Sequence, residues 1–297
     1  MRIMNVDIAI IGSGTAGLTA YREAKKYTDS IIMIEGGPYG TTCARVGCMP
    51  SKLLIAAANS AHQIEKSAAF GIQVQGKVVV DGQEVMSRVK RERDRFVGFV
   101  LEGVDEIPSE HKMSGYAQFV DNNTLLVNGD ISITAERIVI ATGSRPVYPA
   151  MWDELGDCLV LSDDVFDWDD LPESVAVFGP GVIGLELGQA LHRLGVKIKI
   201  FGRSGQLGPL TDPDIMAYAS QTFKEEFYLD TSVNVESMKR IDGDKVEIRF
   251  INHNGEPDTF IVDYVLAATG RKPNTDNLSL SNTAIELDER GNPKVDH

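Results

Sequence analysis

The chain has 297 residues but only three cysteines and two tryptophans. So few cysteines exclude a disulfide-stapled secreted scaffold. No C-x-x-C or H-x-E pattern is present, so no metal site is expected. No apolar run approaches the ~18–20 residues of a membrane span. Residues 1–7 lead straight into the strand-like DIAII, without the regions of a secretory leader. The expectation is a cytoplasmic protein with no membrane partner. Basic residues are also short: 29 Lys and Arg against 43 Asp and Glu leave a net charge of −14. A nucleic-acid partner normally needs the opposite, a basic face. The one basic cluster, RVKRERDR at 88–95, is interleaved with Glu92 and Asp94 and reads as a solvated helix face. The Asp-rich stretch 153–170 reads as a surface connector between two units.

What is present is a duplication. NVDIAIIGSGTAG reads as strand, tight turn and helix start, with Gly12, Gly14 and Gly17 in the G-x-G-x-x-G pattern. SVAVFGPGVIGLELG repeats the plan with Gly179, Gly181 and Gly184. In such a turn the first glycine allows the sharp bend, the second lets backbone approach a pyrophosphate, and the third lets helix and strand pack closely. The helix N-terminus favours the phosphate charge. A second repeat supports the first. RIVIATGSRP (137–146) and DYVLAATGRKP (263–273) both run from an apolar strand into Ala-Thr-Gly and then a proline. These place Ala141, Thr142 and Gly143 beside the first dinucleotide and Gly270 beside the second. The fold class expected is α/β: two Rossmann-like dinucleotide-binding units, the second inserted in the first. The expected boundaries are 1–150 and 151–273, with 274–297 starting a return to the first.

Glu35 lies 23 residues after Gly12, where a carboxylate can accept hydrogen bonds from a ribose diol. The same offset from Gly179 lands on Gly202, which has no side chain, and Arg203 follows it. Arginine offers a fork of donors suited to a phosphate. The second unit is therefore expected to take NADPH in preference to NADH, while the first can take the adenosine end of FAD or NAD.

The segment TTCARVGCMPSK (41–52) holds Cys43 and Cys48. Five residues apart in an undistorted helix, their Cα atoms would be ~8–9 Å apart, beyond the ~7 Å limit for a disulfide. Gly47 permits the local bend that would let them bond. So short a loop gives little entropic stabilisation, so the pair fits a redox dithiol better than a staple. Lys52, four residues after Cys48, shares its face if the segment is helical and would stabilise a thiolate there. Cys158, distant in sequence, reads as a buried or incidental thiol.

TTCARVGCMPSK resembles the redox segment of the flavoprotein disulfide reductases, the group that includes dihydrolipoamide dehydrogenase, glutathione reductase and mercuric reductase. The first fingerprint, ATGSRP, GPGVIGLELG and ATGRKPN follow in the family's order. VIGLELG is most similar to dihydrolipoamide dehydrogenase. The resemblance implies FAD in the first unit, contacted by Glu35, Thr42 and Lys52. It implies that Cys43 attacks the substrate disulfide, that Cys48 contacts the flavin, and that Glu186 pairs with Lys52. The implied partner is a small disulfide or dithiol, and the full-length parent a homodimer.

Departures from the family pattern are visible too. Thr41 stands where a second glycine is usual, and Arg45 replaces an asparagine-like position. None of His62, His111, His192, His253 or His297 lies in a motif matching the family's acid–base histidine, and the chain stops before the C-terminal dimerisation domain. A truncated chain, unable by itself to complete disulfide turnover, is expected. Two other readings stay open: a flavin-dependent transhydrogenase, and a nucleotide-binding fragment without catalysis.

Overall fold

The computed structural model describes residues 2–289 and 291–295. Along the chain come β1 (Arg2–Ile11), α1 (Thr15–Ala24), β2 (Ile31–Glu35), α2 (Thr42–Val46), α3 (Cys48–Lys66) and α4 (Gly82–Asp105). Short strands follow: β3 (Lys112–Ser114), β4 (Ala117–Phe119), β5 (Thr124–Val127), the longer β6 (Ile131–Ile140), β7 (Ser144–Pro146) and β8 (Leu159–Leu161). The next stretch is β9 (Ser174–Phe178), α5 (Val182–Arg193), β10 (Lys197–Phe201), α6 (Pro213–Glu226) and β11 (Tyr228–Asp230). The last strands are β12 (Asn234–Ile241), β13 (Lys245–Ile251), β14 (Pro257–Val262), β15 (Tyr264–Ala267) and β16 (Arg271–Pro273).

Packing divides the chain into two compact units. The first comprises Met1–Arg45, Asp94–Arg145 and Arg271–His297, and the second Val46–Arg93 and Pro146–Gly270. The second is thus inserted in the first, as the duplication implies. Residues 46–93, however, fall with the second unit and not within a first unit running to residue 150. The cause is apolar contact: Leu54 and Ala58 of α3 and Met86 and Val89 of α4 join one buried cluster with Val175, Val177, Leu187 and Leu191.

In the first unit a six-stranded sheet has the order β3-β2-β1-β6-β5-β4. Pairing is parallel from β3 through β6 and antiparallel from β6 to β4. Successive strand side chains point to opposite faces. Accordingly Ile10, Ile31 and Met33 pack with Leu18 and Tyr21 of α1, while Ala9, Ile11, Ile32 and Ile34 pack with Phe119, Leu125 and Leu278. Burial on both faces is why residues 8–11 (IAII) and 31–34 (IIMI) are continuously apolar.

The second unit holds an all-parallel five-stranded sheet, β11-β10-β9-β15-β8. The same alternation sends Val175, Val177 and Ile200 to the helical side and Ala176, Phe178 and Phe201 to the antiparallel sheet β12-β13-β14.

Two local expectations are corrected. The stretch 153–170 is more than a surface connector: β8 pairs with β15, and Leu155, Val160, Val165 and Phe166 are buried. Its acids line the outside of an apolar strip. The cluster 88–95 is not simply a solvated face either. Arg88 donates to the Leu53 carbonyl at 3.3 Å, and Arg93 to the Phe166 carbonyl at 3.2 Å and the Asp167 carboxylate at 2.7 Å. No helix is long and apolar enough to cross a membrane among the described residues. Cys158 is buried.

Candidate dinucleotide sites and the cysteine segment

The two glycine turns have the same construction. In the first unit the Gly12 N–H donates to the Ile34 carbonyl at 2.8 Å and the Ala141 N–H to the Ile11 carbonyl at 2.8 Å. In the second, Gly179 N–H donates to the Phe201 carbonyl and Ala268 N–H to the Phe178 carbonyl, again at 2.8 Å. Gly12 has φ +105° and Gly179 φ +108°, the region that favours glycine. A Cβ on Gly12 would lie 2.3 Å from the Ala141 oxygen, and one on Gly179 2.2 Å from the Ala268 oxygen. A Cβ on Gly17 would lie 1.9 Å from the Gly12 oxygen, and one on Gly184 2.0 Å from the Gly179 oxygen. These four glycines are required by close backbone packing.

Gly14 and Gly181 differ. No atom lies within 4 Å of a Cβ built on either, and each is the N-cap of its helix with no side chain capping it. Neither helix has an acid in its first turn. Uncapped N–H groups, the positive end of the helix dipole and open space above a glycine together fit a pyrophosphate.

Glu35, at the end of β2, accepts from the backbone N–H and the hydroxyl of Ser13, both at 2.7 Å, and from the Gly37 N–H at 2.7 Å. The carboxylate is thereby held beside the turn, with lone pairs left for a ribose. Sequence reasoning missed Ser13; its signal is a hydroxyl residue between the first two glycines. It also missed Asn274, whose N–H donates to the Gly143 carbonyl at 2.9 Å and whose side-chain amide donates to the Thr142 carbonyl at 3.0 Å. Arg145 holds Asn274 in turn, at 2.9 Å, and pairs with Asp276. The start of the return segment therefore fixes the ATG loop of the first unit, where Gly143 has φ +68°.

In the second unit a cleft of about 1090 Å³ opens over the turn, lined among others by Gly179, Gly181, Arg203, Gln206, Gly270 and Trp152. Arg203 is exposed, and its backbone bridges to Ser232. Of the residues expected to hold the nicotinamide coenzyme, Gly179, Gly181, Arg203 and Gly270 line this cleft, and Gly184 lies beneath the turn.

The cysteine segment splits at the expected bend. Gly47, with φ −132° and ψ −119°, separates α2 from α3. Thr42 opens α2 and is exposed, Cys43 is partly buried, and Cys48 is exposed at the first position of α3. Thr41 has φ +59°, so the position where the family usually shows glycine is one that favours glycine, here occupied by a β-branched residue. Its hydroxyl accepts from the Ala44 N–H at 3.1 Å. On α3, Lys52 pairs with Glu186 of α5, and the Ser51 hydroxyl donates to the same carboxylate at 3.2 Å. Both helices belong to the second unit, which brings Lys52 and Glu186 together, with Cys48 one turn before Lys52 on α3. Thr42 and Cys43 belong with the first.

Two open glycine turns, one on the mixed sheet with an acid beside it and one on the parallel sheet with an arginine on its cleft, form an arrangement with room for two dinucleotides. The comparison with known families agrees: the pyridine nucleotide-disulphide oxidoreductase model matches residues 6–297, and the chain belongs to that family. It is 31% identical over 288 residues to a mercuric reductase of Lysinibacillus sphaericus, covering 95% of this chain and 51% of that protein. It is 30% identical over 301 residues to a dihydrolipoyl dehydrogenase of Bacillus subtilis, covering 98% of this chain and 64% of that protein. Among solved structures, the HOCl-induced flavoprotein disulfide reductase RclA of Escherichia coli matches with a TM-score of 0.78 at 26% identity. That match covers 98% of this chain and 62% of RclA. Its Cu(II) complex matches with a TM-score of 0.79 at 25% identity, again over 98% of this chain and 62% of that one. The chain thus spans between half and two thirds of the length of these relatives.

Proposed function

We propose that this chain is the nucleotide-binding and dithiol-bearing part of an FAD-dependent NADPH:disulfide oxidoreductase, similar to dihydrolipoamide dehydrogenase and acting in the cytoplasm as a homodimer. The observation that carries the reading is the pairing of two open, uncapped glycine turns with a cysteine segment whose Lys52 is held by Glu186. FAD would be held by Gly12, Gly14, Gly17, Glu35, Thr42, Lys52 and residues 141–143, and the nicotinamide coenzyme by Gly179, Gly181, Gly184, Arg203 and Gly270. A bound flavin supplies two-electron transfer between a nicotinamide and a disulfide.

The chain's own residues then do the following. Reduction opens a Cys43/Cys48 bridge to two thiols. The Cys43 thiolate attacks one sulfur of the substrate disulfide, and the other sulfur leaves as a thiolate that takes up a proton. Cys48 then attacks the Cys43 sulfur, releases the second substrate thiol and restores the bridge.

A second reading has specific support: relatives are named mercuric reductase, and an RclA structure is named as a Cu(II) complex. Thiolates favour soft ions such as Hg(II) and Cu(I), so reduction of Hg(II), or of Cu(II) to Cu(I), could stand in place of reduction of an organic disulfide.

The test is thiol counting under anaerobic conditions. NADPH added to the yellow protein is expected to expose two further titratable thiols per chain, and Cys43→Ser to abolish the gain. NADPH oxidation with lipoamide, Hg(II) or Cu(II) as acceptor then separates the substrates. Hydride exchange between coenzymes that survives Cys48→Ser would favour a transhydrogenase. A colourless protein with no thiol gain would leave a nucleotide-binding fragment.

A further inference from the structure

The duplication supplies an internal comparison for the coenzyme cleft. In the first unit Ser13, the residue after Gly12, gives both its donors to Glu35, 23 residues after Gly12. The equivalent positions in the second unit are Pro180, after Gly179, and Gly202, 23 residues after Gly179. Both members of the pair differ together.

Proline has neither an N–H nor a hydroxyl, so Pro180 cannot orient a carboxylate as Ser13 does. Its ring also takes the space. A Cβ on Gly202 would lie 2.8 Å from Pro180 Cγ, 2.9 Å from Pro180 Cδ and 2.8 Å from the Thr231 carbonyl oxygen. Carbon atoms in good contact sit at roughly 3.5–4.0 Å. Neither obstacle is the free end of a flexible side chain. The Thr231 carbonyl is held by the Gly205 N–H at 2.8 Å. Gly202 is pinned as well: its N–H donates to the Asp230 carbonyl at 2.6 Å, and its carbonyl accepts from the Val233 N–H at 2.9 Å. Gly202 is not among the glycines with positive φ. Space, and not backbone torsion, dictates glycine there.

We infer that Pro180 is a specificity-determining residue of the coenzyme cleft. Together with the Thr231 carbonyl it fills the place of a side chain at 202, and so excludes the carboxylate that would accept the diol of an unphosphorylated adenosine ribose. The cleft is left to a 2′-phosphorylated dinucleotide facing Arg203, with Ser204 and Gln206 on the same lining. The inference rests on the reading of this cleft as the NADPH site.

The test transplants the first unit's pair into the second. NADPH and NADH are titrated separately, by nicotinamide fluorescence, into the full chain as wild type, P180S, G202E and P180S/G202E. G202E alone is expected to bind both coenzymes at least about tenfold more weakly, and P180S/G202E to regain NADH binding by about tenfold over G202E, the scale of one charge-assisted hydrogen bond. NADPH binding is expected to stay weak in the double variant. G202E that binds NADH as tightly as the double variant would overturn the role of Pro180. Should G202E not fold, melting of G202A against P180S/G202A carries the test. A smaller Tm loss for G202A in the Pro180→Ser background supports the steric lock, and equal losses overturn it. A wild type that binds NADH as tightly as NADPH overturns the coenzyme reading and the specificity role with it. Absent coupling with NADPH preference intact overturns Pro180's part alone.

Discussion

Ser13 donates its backbone N–H and its hydroxyl to the same oxygen of Glu35, each at 2.7 Å, and the other oxygen accepts from Gly37 N–H. The carboxylate thus organises the turn that its own strand faces. Glu35→Ala leaves these donors without their acceptor, and the expected cost is about 1–3 kcal/mol of stability. Denaturant unfolding checks this. Ser13→Ala, which keeps the backbone donor, should cost less than half as much. Flavin content per chain should fall in Glu35→Ala more than the loss of folded protein explains, because the acid is proposed to hold the ribose.

The Lys52–Glu186 pair makes the opposite prediction. The Lys52 side chain is 59% exposed and that of Glu186 33%, and pairs so exposed contribute about 0–1 kcal/mol. Lys52→Met should therefore leave the melting temperature nearly unchanged. Its expected effect is kinetic, a roughly tenfold or greater slowing of NADPH-dependent thiol release, since Lys52 is proposed to lie beside the flavin, where its charge acts on the electron transfer. A large stability loss with unchanged thiol release would make the pair structural only.

The glycine turns, the 23-residue offset to Glu35 and the bend at Gly47 were legible in the sequence because each is a local demand: a torsion, a close approach, a fixed chain length. The allegiance of residues 46–93 was not. It depends on where Leu54, Ala58, Met86 and Val89 find apolar partners, and no local pattern records that. The acids of 153–170 masked a buried strip for a related reason: charge marks the outer edge of a strand, while Val160, Val165 and Phe166, scattered between acids, show no clear period. Asn274 ends the ATGRKPN motif, yet its hydrogen bonds to the loop at 142–143 span more than 130 residues of chain and leave no trace in spacing.

Acid should loosen the second unit through Glu226. Arg193 makes a fork to its carboxylate, at 2.8 and 3.1 Å, with Gln189 adding a third bond at 3.2 Å, and Arg193 also reaches Asn59 of α3 at 2.8 Å. Burial alone would raise the Glu226 pKa, but the Arg193 hydrogen bonds and charge and the Gln189 bond outweigh it, and the carboxyl is held below its ordinary value. A depressed carboxyl pKa stabilises the fold fully above the unfolded value of about 4.3, and the contribution is lost as pH falls through the lower folded value. Stability should therefore fall more steeply with acid in the wild type than in Glu226→Gln, which is itself less stable at neutral pH. Parallel curves of Tm against pH below about 5 would show that Glu226 contributes nothing to the acid limb.

The sharpest separation of folding from binding lies within each fingerprint. Gly12→Ala and Gly17→Ala would place a Cβ 2.3 and 1.9 Å from backbone oxygens, and Gly12 would carry its strained φ of +105° besides. Overpacking against backbone costs about 1–3 kcal/mol or more, so both variants should melt earlier or fail to fold. Gly14→Ala meets no atom within 4 Å, and its φ of −71° suits any residue. The fold should lose less than about 1 kcal/mol, the difference between glycine and alanine as an N-cap. If Gly14 is bare because a pyrophosphate comes against it, Gly14→Ala should fold normally and yet retain less flavin. Gly181→Ala, equally open, should fold normally and bind NADPH more weakly, while Gly179→Ala and Gly184→Ala lose stability first. Measuring melting and ligand binding on all six variants gives each glycine its own signature. Normal flavin retention in Gly14→Ala would refute the placement of the phosphates over that turn, whatever the family resemblance suggests.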